Sequence, residues 1–321
     1  MHILVIGGAG YIGSHAVKAL LKAGHRVSVF DNLSTGLEVN YFKDAAYTVG
    51  DILDYPSLQK AMSQDVDAVI HLAAKKAVGE SMENPEKYAL NNIAGAINVL
   101  NAMSACGVKR LVFSSSAAVY GEPVYLPMDE KHPLNPMSFY GFTKYDMEKY
   151  FDWYDRLKGI KYVSLRYFNA VGYDEDGDIR GLEKNPQNLL PIVMETANGT
   201  REKMKIFGND YPTRDGTCIR DYIHVTDLGS AHAAAIEYLK TAPESQIFNL
   251  GTSEGISVLE MVNKTEELIG RKINFEFAPR RPGDPAVITA SAEKAGKILG
   301  WKAEHSTIEN IILSTWQVYK R

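Results

Sequence analysis

Cysteine is scarce in this 321-residue chain: only Cys106 and Cys218 occur, far apart and without metal-ligand spacing. That excludes a disulfide framework and a cysteine-based metal site. Two free thiols suit a reducing compartment, so a cytoplasmic protein without a metal is expected. Also absent is any apolar run near the roughly 18 residues that a membrane-spanning helix requires. Met1 and His2 lead straight into an apolar run and then glycines, with no basic leader, which reads as a first strand rather than a signal peptide. No long block carries one sign of charge. With 35 Lys+Arg against 39 Asp+Glu the net charge is −4, so neither nucleic acid nor a membrane surface is expected as a partner. No internal repeat or low-complexity linker interrupts the chain.

What is present is a pattern. Up to about residue 172, short apolar runs at 3–6, 27–30, 68–72, 111–113 and 162–165 alternate with helix-like stretches such as 12–22, 85–105 and 138–156. Strands that are apolar throughout belong to a parallel sheet covered on both faces. Strand–helix alternation then predicts a doubly wound, Rossmann-like α/β sheet. Beyond 172 the texture changes to an acidic loop at 174–178 and a turn at 185–188 entering a helix. Short strands at 203–207, 247–250 and 273–277 and helices at 225–239, 258–269 and 291–299 follow. The expected division is a 1–172 domain and a smaller 173–321 α/β lobe over the sheet's carboxyl edge, where open sheets bind ligands. The boundary is soft, and the chain is free to cross it more than once.

Gly7, Gly10, Tyr11, Ile12 and Gly13 lie in a segment that follows the first predicted strand and opens a helix. G-x-x-G-x-x-G is a variant of the dinucleotide fingerprint. Its glycines allow a tight turn and close approach to a pyrophosphate, whose charge the helix N-terminus stabilises. Asp31 ends the second strand roughly 20 residues on, where a carboxylate accepts from both hydroxyls of an adenosine ribose and repels a 2′-phosphate. No arginine follows it, so NAD rather than NADP is predicted. After the third strand, Asp51 beside Ile52 either meets the adenine amino group or caps the helix that starts near Pro56. After the fourth strand comes His71-Leu72-Ala73-Ala74-Lys75-Lys76. Its small alanines would admit a cofactor and a lysine would reach it, or else the lysines belong to a solvated loop.

Ser114-Ser115-Ser116 ends the fifth strand at the same edge, and Tyr140 and Lys144 open the next long helix. Residues i and i+4 share a helix face, so phenol and ammonium can converge. A free tyrosine, with pKa about 10, is a poor base at neutral pH. A cation about 5 Å away at an effective dielectric of about 20 contributes roughly 3 kcal/mol, or about 2 pK units. A tyrosinate beside NAD⁺ can take a proton from an alcohol while hydride leaves its carbon, with a serine such as Ser116 holding the oxygen.

From end to end the chain resembles the extended short-chain dehydrogenase/reductases, and among them the UDP-hexose 4-epimerases. The segments that carry the likeness are 7–13, 31–34, 71–81, 91–92, 114–121 (SSSAAVYG), 140–144, 165–169 (LRYFN), 206–225 (IFGNDYPTRDGTCIRDYIHV) and 280–284. The resemblance implies a homodimer and interconversion of UDP-glucose and UDP-galactose through a transient 4-keto sugar. In it Tyr140 is the acid–base group, Lys144 tunes it and binds the nicotinamide ribose, and Ser116 bonds the sugar oxygen. Tyr11, Ile12, Asp31, Asn32, Asp51, Ile52, Leu72, Ala73, Lys76, Asn91 and Phe168 would line the NAD site. Asn169, Asn188, Leu189, Phe207, Arg220, Arg281 and Asp284 would hold the UDP-sugar, with both arginines on the diphosphate. Plainer roles stand beside these, Phe207 as core and Arg220–Asp221 as a structural ion pair. Ile288 stands where some relatives carry a tyrosine that excludes N-acetylated sugars, which leaves UDP-GlcNAc or UDP-pentose epimerisation as alternatives. A 4,6-dehydratase would need an acidic pair after Ser116, where Ala117 and Ala118 stand instead. A non-catalytic NAD sensor would have no need of Tyr140 and Lys144.

Overall fold

The computed structural model describes residues 1–183, 186–241, 244–281 and 283–320; Asn185 of the expected turn and Pro282 of the 280–284 segment lie outside them. The first strand, His2–Ile6 (β1), is buried along its whole length, as its lack of alternation requires. Arg26–Asp31 (β2), Ala45–Val49 (β3), Ala68–His71 (β4), Arg110–Ser114 (β5) and Lys161–Tyr167 (β6) follow in the first half. The second half supplies Asn169–Val171 (β7), Met204–Phe207 (β8), Ile219–His224 (β9), Gln246–Leu250 (β10), Gly255–Ser257 (β11), Phe275–Ala278 (β12) and Val287–Ile288 (β13). One seven-stranded sheet runs β10-β6-β5-β4-β1-β2-β3, parallel at every pairing. The predicted doubly wound α/β sheet is therefore present.

Strand order reverses between β1 and β4, which creates the crevice where open sheets bind ligands. Both faces are covered. On one, Val5, Val112, Leu165 and Phe248 pack with Leu228, Ala231 and Ile236 of the helix Val225–Thr241. On the other, Leu4, Phe30 and Phe113 pack with Val99 and Leu100 of Gly95–Cys106 and with Met147 and Phe151 of Phe139–Lys158. Each large side chain so buried contributes roughly 1.5–3 kcal/mol.

β7, just before residue 172, pairs with β9 in a second sheet ordered β11-β9-β13, whereas β10, far beyond 172, completes the first. β8 and β12 form a further parallel pair. Helices Leu189–Ala197, Val258–Ile269 and Ile308–Tyr319 close this part through Leu190, Met194, Met261, Ile311 and Ile312. Among the described residues no helix is long and apolar enough to cross a membrane.

The helix expected over 85–105 runs without a gap as Pro85–Tyr88, a π-helical turn Ala89–Ala94, and Gly95–Cys106. Such turns occur frequently at functional sites. Asn92, within this one, is buried, accepts from Lys75 N at 2.8 Å, and donates to Lys75 O at 3.0 Å and to Thr143 Oγ1 at 3.1 Å. One amide thus pins the loop after β4 to the helix that carries Tyr140.

Candidate active site

At the switch point, the glycine turn after β1 meets the loop after β4. Leu72 N and Ala73 N both donate to Ile6 O, at 2.9 and 3.1 Å. Gly7 has φ +87°, and a Cβ there would stand 2.7 Å from Ala73 N; at Gly13 it would stand 2.1 Å from Gly7 O. The helix Tyr11–Lys22 starts from Gly10 with no side-chain cap and no acidic residue in its first turn. Its free N–H groups and positive dipole end are thereby left for an anion. This turn fits a pyrophosphate closely approached by backbone, and the residues present suit NAD.

Asp31 is buried at the end of β2, where Oδ2 accepts from Ala9 N at 3.0 Å and Oδ1 from Leu33 N at 2.8 Å. Each oxygen keeps acceptor capacity for a ribose hydroxyl. Asn32 donates to Asp51 Oδ2 at 2.8 Å, and Asp51 Oδ1 accepts from Leu53 N at 2.9 Å. The residue capping the helix Tyr55–Met62 is Asp54, so the capping alternative for Asp51 falls away. Ile52 packs so tightly on Gly95 that a Cβ there would stand 2.4 Å from Ile52 Cδ1.

Gly7, Gly10, Tyr11, Ile12 and Gly13 line one cleft of about 390 Å³ with Asp31, Asn32, Asp51 and Ile52; Leu72, Ala73, Lys76 and Asn91 line it further along, and Tyr140 and Lys144 complete it. Lys76 spans it to Glu183, with Nζ 2.9 Å from Oε1. Phe168 does not belong to this lining. It packs instead in a buried cluster with Val119, Tyr120, Met128 and Ala290, against which Ile288 lies. Its neighbour Tyr167, which sequence reasoning passed over, does line the cleft. The signal was available, since Tyr167 ends β6 as Asp31 ends β2. Tyr88 and Glu80, also unforeseen, line it too, joined by a 2.9 Å hydrogen bond.

Ser138 caps the helix Phe139–Lys158 by accepting from Gly141 N at 3.1 Å, which sets Tyr140 in the first turn. Lys144 is buried one turn later, its Nζ 2.8 Å from Ser114 O, 4.6 Å from the Phe113 ring centre and 6.0 Å from that of Tyr140. Burial brings the Lys144 ammonium down to about 7, against a smaller pull upward from Glu148. Burial also raises the Tyr140 phenol, and a hydrogen bond with Ser116 only partly offsets it. The expected lowering of about 2 pK units by Lys144, with the nicotinamide ring supplying the remainder, is not matched here: the phenol is raised, with burial the largest cause.

Along the second sheet, Asn169 Nδ2 donates to Asp221 O at 3.0 Å, tying β7 to β9 beside Arg220. Asn188 is the N-cap residue of the helix that Leu189 begins. Phe207 ends β8 under the Arg281 guanidinium, 4.0 Å from ring centre to Cζ. Arg220 pairs not with Asp221 but with Asp284. Asp221 is fully buried and instead accepts from Thr252 N, Ser253 N and Ala290 N at 2.9, 3.2 and 3.1 Å. Ile288 lies in register with Arg220.

Residues 3–251 match the model of the NAD dependent epimerase/dehydratase family. The UDP-glucose 4-epimerase of Lacticaseibacillus casei is 46% identical over 318 residues, covering 98% of this chain and 96% of that protein. Among solved structures, the UDP-glucose 4-epimerase of Brucella ovis in complex with NAD is 41% identical with a TM-score of 0.97, covering 99% of this chain and 98% of that one. That of Bifidobacterium longum in complex with NAD⁺ and UDP is 38% identical with a TM-score of 0.92, again covering 99% and 98%. The glycine turn, the carboxylate ending β2 and the Tyr–Lys helix thus sit in a chain that belongs to the NAD dependent epimerase/dehydratase family.

Proposed function

We propose that the chain is an NAD-dependent UDP-hexose 4-epimerase that interconverts UDP-glucose and UDP-galactose through a transient 4-keto sugar. The observation that carries this is that Tyr140 and Lys144 line the same cleft as the glycine turn, with Ser116 bonded to Tyr140. The chemistry that NAD supplies when bound is reversible hydride acceptance. Gly7, Gly10 and Gly13 leave room for its pyrophosphate, Asp31 takes a ribose, and Asn32, Asp51 and Ile52 bound the adenine. Leu72, Ala73, Lys76 and Asn91 line the remainder, with Lys144 at the second ribose. Ser116 holds the sugar 4-oxygen and Tyr140 moves its proton. Burial raises the phenol, so a positive charge beside it would favour the phenolate that takes a substrate proton.

Asn169, Asn188, Leu189 and Phe207 would form the wall of the UDP subsite, with Arg220 and Arg281 on the diphosphate. Arg220 would exchange Asp284 for that diphosphate and free the carboxylate for the uridine ribose. The working division is an NAD lobe at 1–172 and a UDP-sugar lobe at 173–321, with β7 crossing forward and β10 and the helix Val225–Thr241 crossing back. Leu90, Phe142, Trp153 and Leu157 are exposed large apolar residues. Leu90 lies in the π-helical turn and the other three on Phe139–Lys158, and together they suit a homodimer. The expected compartment is the cytoplasm.

The test is direct. Purified protein should release NAD on denaturation and interconvert the two UDP-hexoses with no added cofactor; cofactor-free protein that stays inert when NAD is supplied refutes the proposal. Ile288 favours a second reading, because it lies against the cluster of Phe168 with Val119 and Tyr120, the latter two just after Ser116, where a bulkier side chain would narrow the sugar site. Ile288→Tyr should lower kcat/KM for UDP-GlcNAc about 10-fold, a pocket-sized discrimination, while sparing UDP-glucose. Equal loss on both substrates, measured side by side, rejects this gate.

A further inference from the structure

The three serines that follow one another at the end of β5 are each fastened to a different turn of the helix Phe139–Lys158. Ser116 is hydrogen-bonded to Tyr140. The Ser114 carbonyl accepts from Lys144 Nζ at 2.8 Å. Ser115 Oγ donates to Glu148 Oε1 at 2.7 Å. Tyr140, Lys144 and Glu148 stand four residues apart and so share one helix face. Two rungs of this ladder are reacting groups. The third is a carboxylate that touches neither cofactor nor sugar in the scheme above.

That carboxylate is itself held from behind. Arg166 on β6 donates from Nε to Glu148 Oε1 at 3.0 Å and from Nη2 to Oε2. Its Nη1 donates to Tyr120 OH at 3.0 Å, and the Tyr120 hydroxyl donates to Asn249 Oδ1 on β10. Glu148 and Arg166 are 3% and 2% exposed, so the ion pair is fully desolvated. A buried pair of this kind is no better for stability than apolar residues of the same volume. Apolar residues, however, could not grip the Ser115 hydroxyl.

We propose that Glu148, held by Arg166 and gripping Ser115, is the positioning residue that fixes the Ser116 strand end against the Tyr140–Lys144 turns. The inference rests on the epimerase reading and adds to it a group that reaction chemistry alone does not require. A shift of about 1 Å between such groups is worth roughly 100-fold in rate. The same carboxylate also governs charge. Lys144 is faced by Tyr140 and Glu148 from its own helix, by the Phe113 ring and Ser114 carbonyl from β5, and by His71 from β4, which burial keeps neutral. From β6, Tyr167 faces the Tyr140 phenol and is likewise held protonated by burial. Among the described residues Glu148 is the anion that acts on Lys144.

Three proteins loaded with NAD test this: the parent, Ser115→Ala and Glu148→Gln. Ser115→Ala leaves the ion pair intact; kcat should fall about 10-fold, with KM for UDP-galactose unchanged and Tm lowered by a few degrees. Glu148→Gln keeps an acceptor for Ser115 but removes the charge; the basic limb of kcat against pH should move about one unit lower. A readout independent of turnover is the ionisation of Tyr140, seen as the ultraviolet difference between each protein and its Tyr140→Phe counterpart. It should move to lower pH in Glu148→Gln, because Lys144, brought down to about 7, is already neutral where the buried phenol ionises and the substitution removes the anion behind it. A Ser115→Ala protein with kcat within about twofold of the parent, or with lowered Tm alone, overturns the proposal. So does an unmoved Tyr140 titration in Glu148→Gln; should that variant fail to fold, Ser115→Ala decides. A parent without turnover would refute the epimerase reading separately, leaving the titration to judge the clamp.

Discussion

Tyr140→Phe is expected to lower kcat for UDP-hexose interconversion by about 100- to 10,000-fold, the range that a positioned proton carrier supplies. The substitution removes only the hydroxyl. The ring keeps its place in the cleft, and the nearest groups, Ser116 and Lys144, keep their other bonds, to Ala118 N and Ser114 O. Neither the glycine turn nor the arginines of the second lobe touches the phenol, so NAD content and UDP affinity should stay near those of the parent. Calorimetric titration with UDP beside a turnover assay separates the two effects. Near-normal turnover would remove Tyr140 from the chemistry. Parallel loss of UDP binding would mean that the change is structural.

Gly13→Ala should yield protein without cofactor, with NAD affinity at least about 100-fold weaker. The new methyl carbon would stand 2.1 Å from Gly7 O and 2.8 Å from Gly8 Cα, both backbone atoms. Gly7 cannot retreat, because it is itself pressed against Ala73 N. The turn must therefore open, and it is this turn that brings the helix N-terminus to the pyrophosphate. Overpacking of this kind costs about 1–3 kcal/mol, so Tm should fall as well. NAD content after denaturation and a melting curve check it; full cofactor with unchanged Tm would show that the pyrophosphate lies elsewhere.

The large sheet was legible because β1, β5 and β6 are apolar runs that need two covered faces, and helices of matching length separate them. The edge strand β3 is less so: Ala45–Val49 is half-buried to exposed, and nothing in its composition demands a strand. β9 was hidden by its own chemistry, since Ile219–His224 carries Arg220, Asp221 and His224, and buried polar residues read as loop. The helix Ile308–Tyr319, absent from the expected elements, does show helical spacing in Ile308, Ile311, Ile312, Trp316 and Tyr319. No residue type announced the π-helical turn over 89–94, because an extra residue in a turn leaves no compositional mark.

In the site, motifs that lie within one strand–turn–helix unit were readable. Gly7 to Gly13, Asp31, and Tyr140 with Lys144 all reach the cleft. Contacts set by tertiary packing were not. Arg220 and Asp284 are 64 residues apart and found each other through the second sheet, whereas adjacency in sequence suggested Asp221. Phe168, between β6 and β7, packs with Val119, Tyr120, Met128 and Ala290, neighbours from three other segments that its sequence does not reveal. Glu148 lay in plain view at the next helical repeat after Lys144.

β10 has a consequence for how the polypeptide is made. Phe248 and Leu250 are wholly buried, and the strand covers the flank of β6, while Leu228, Ala231 and Ile236 blanket the same layer. A nascent chain emerging from the ribosome can therefore assemble six parallel strands yet leave the flank of β6 unpaired and a greasy plane bare until about residue 250 has cleared the exit tunnel. Such unpaired edges template association with other chains. The sheet begun by the first strand is thus finished by a segment synthesised after β7 and β9 of the second sheet.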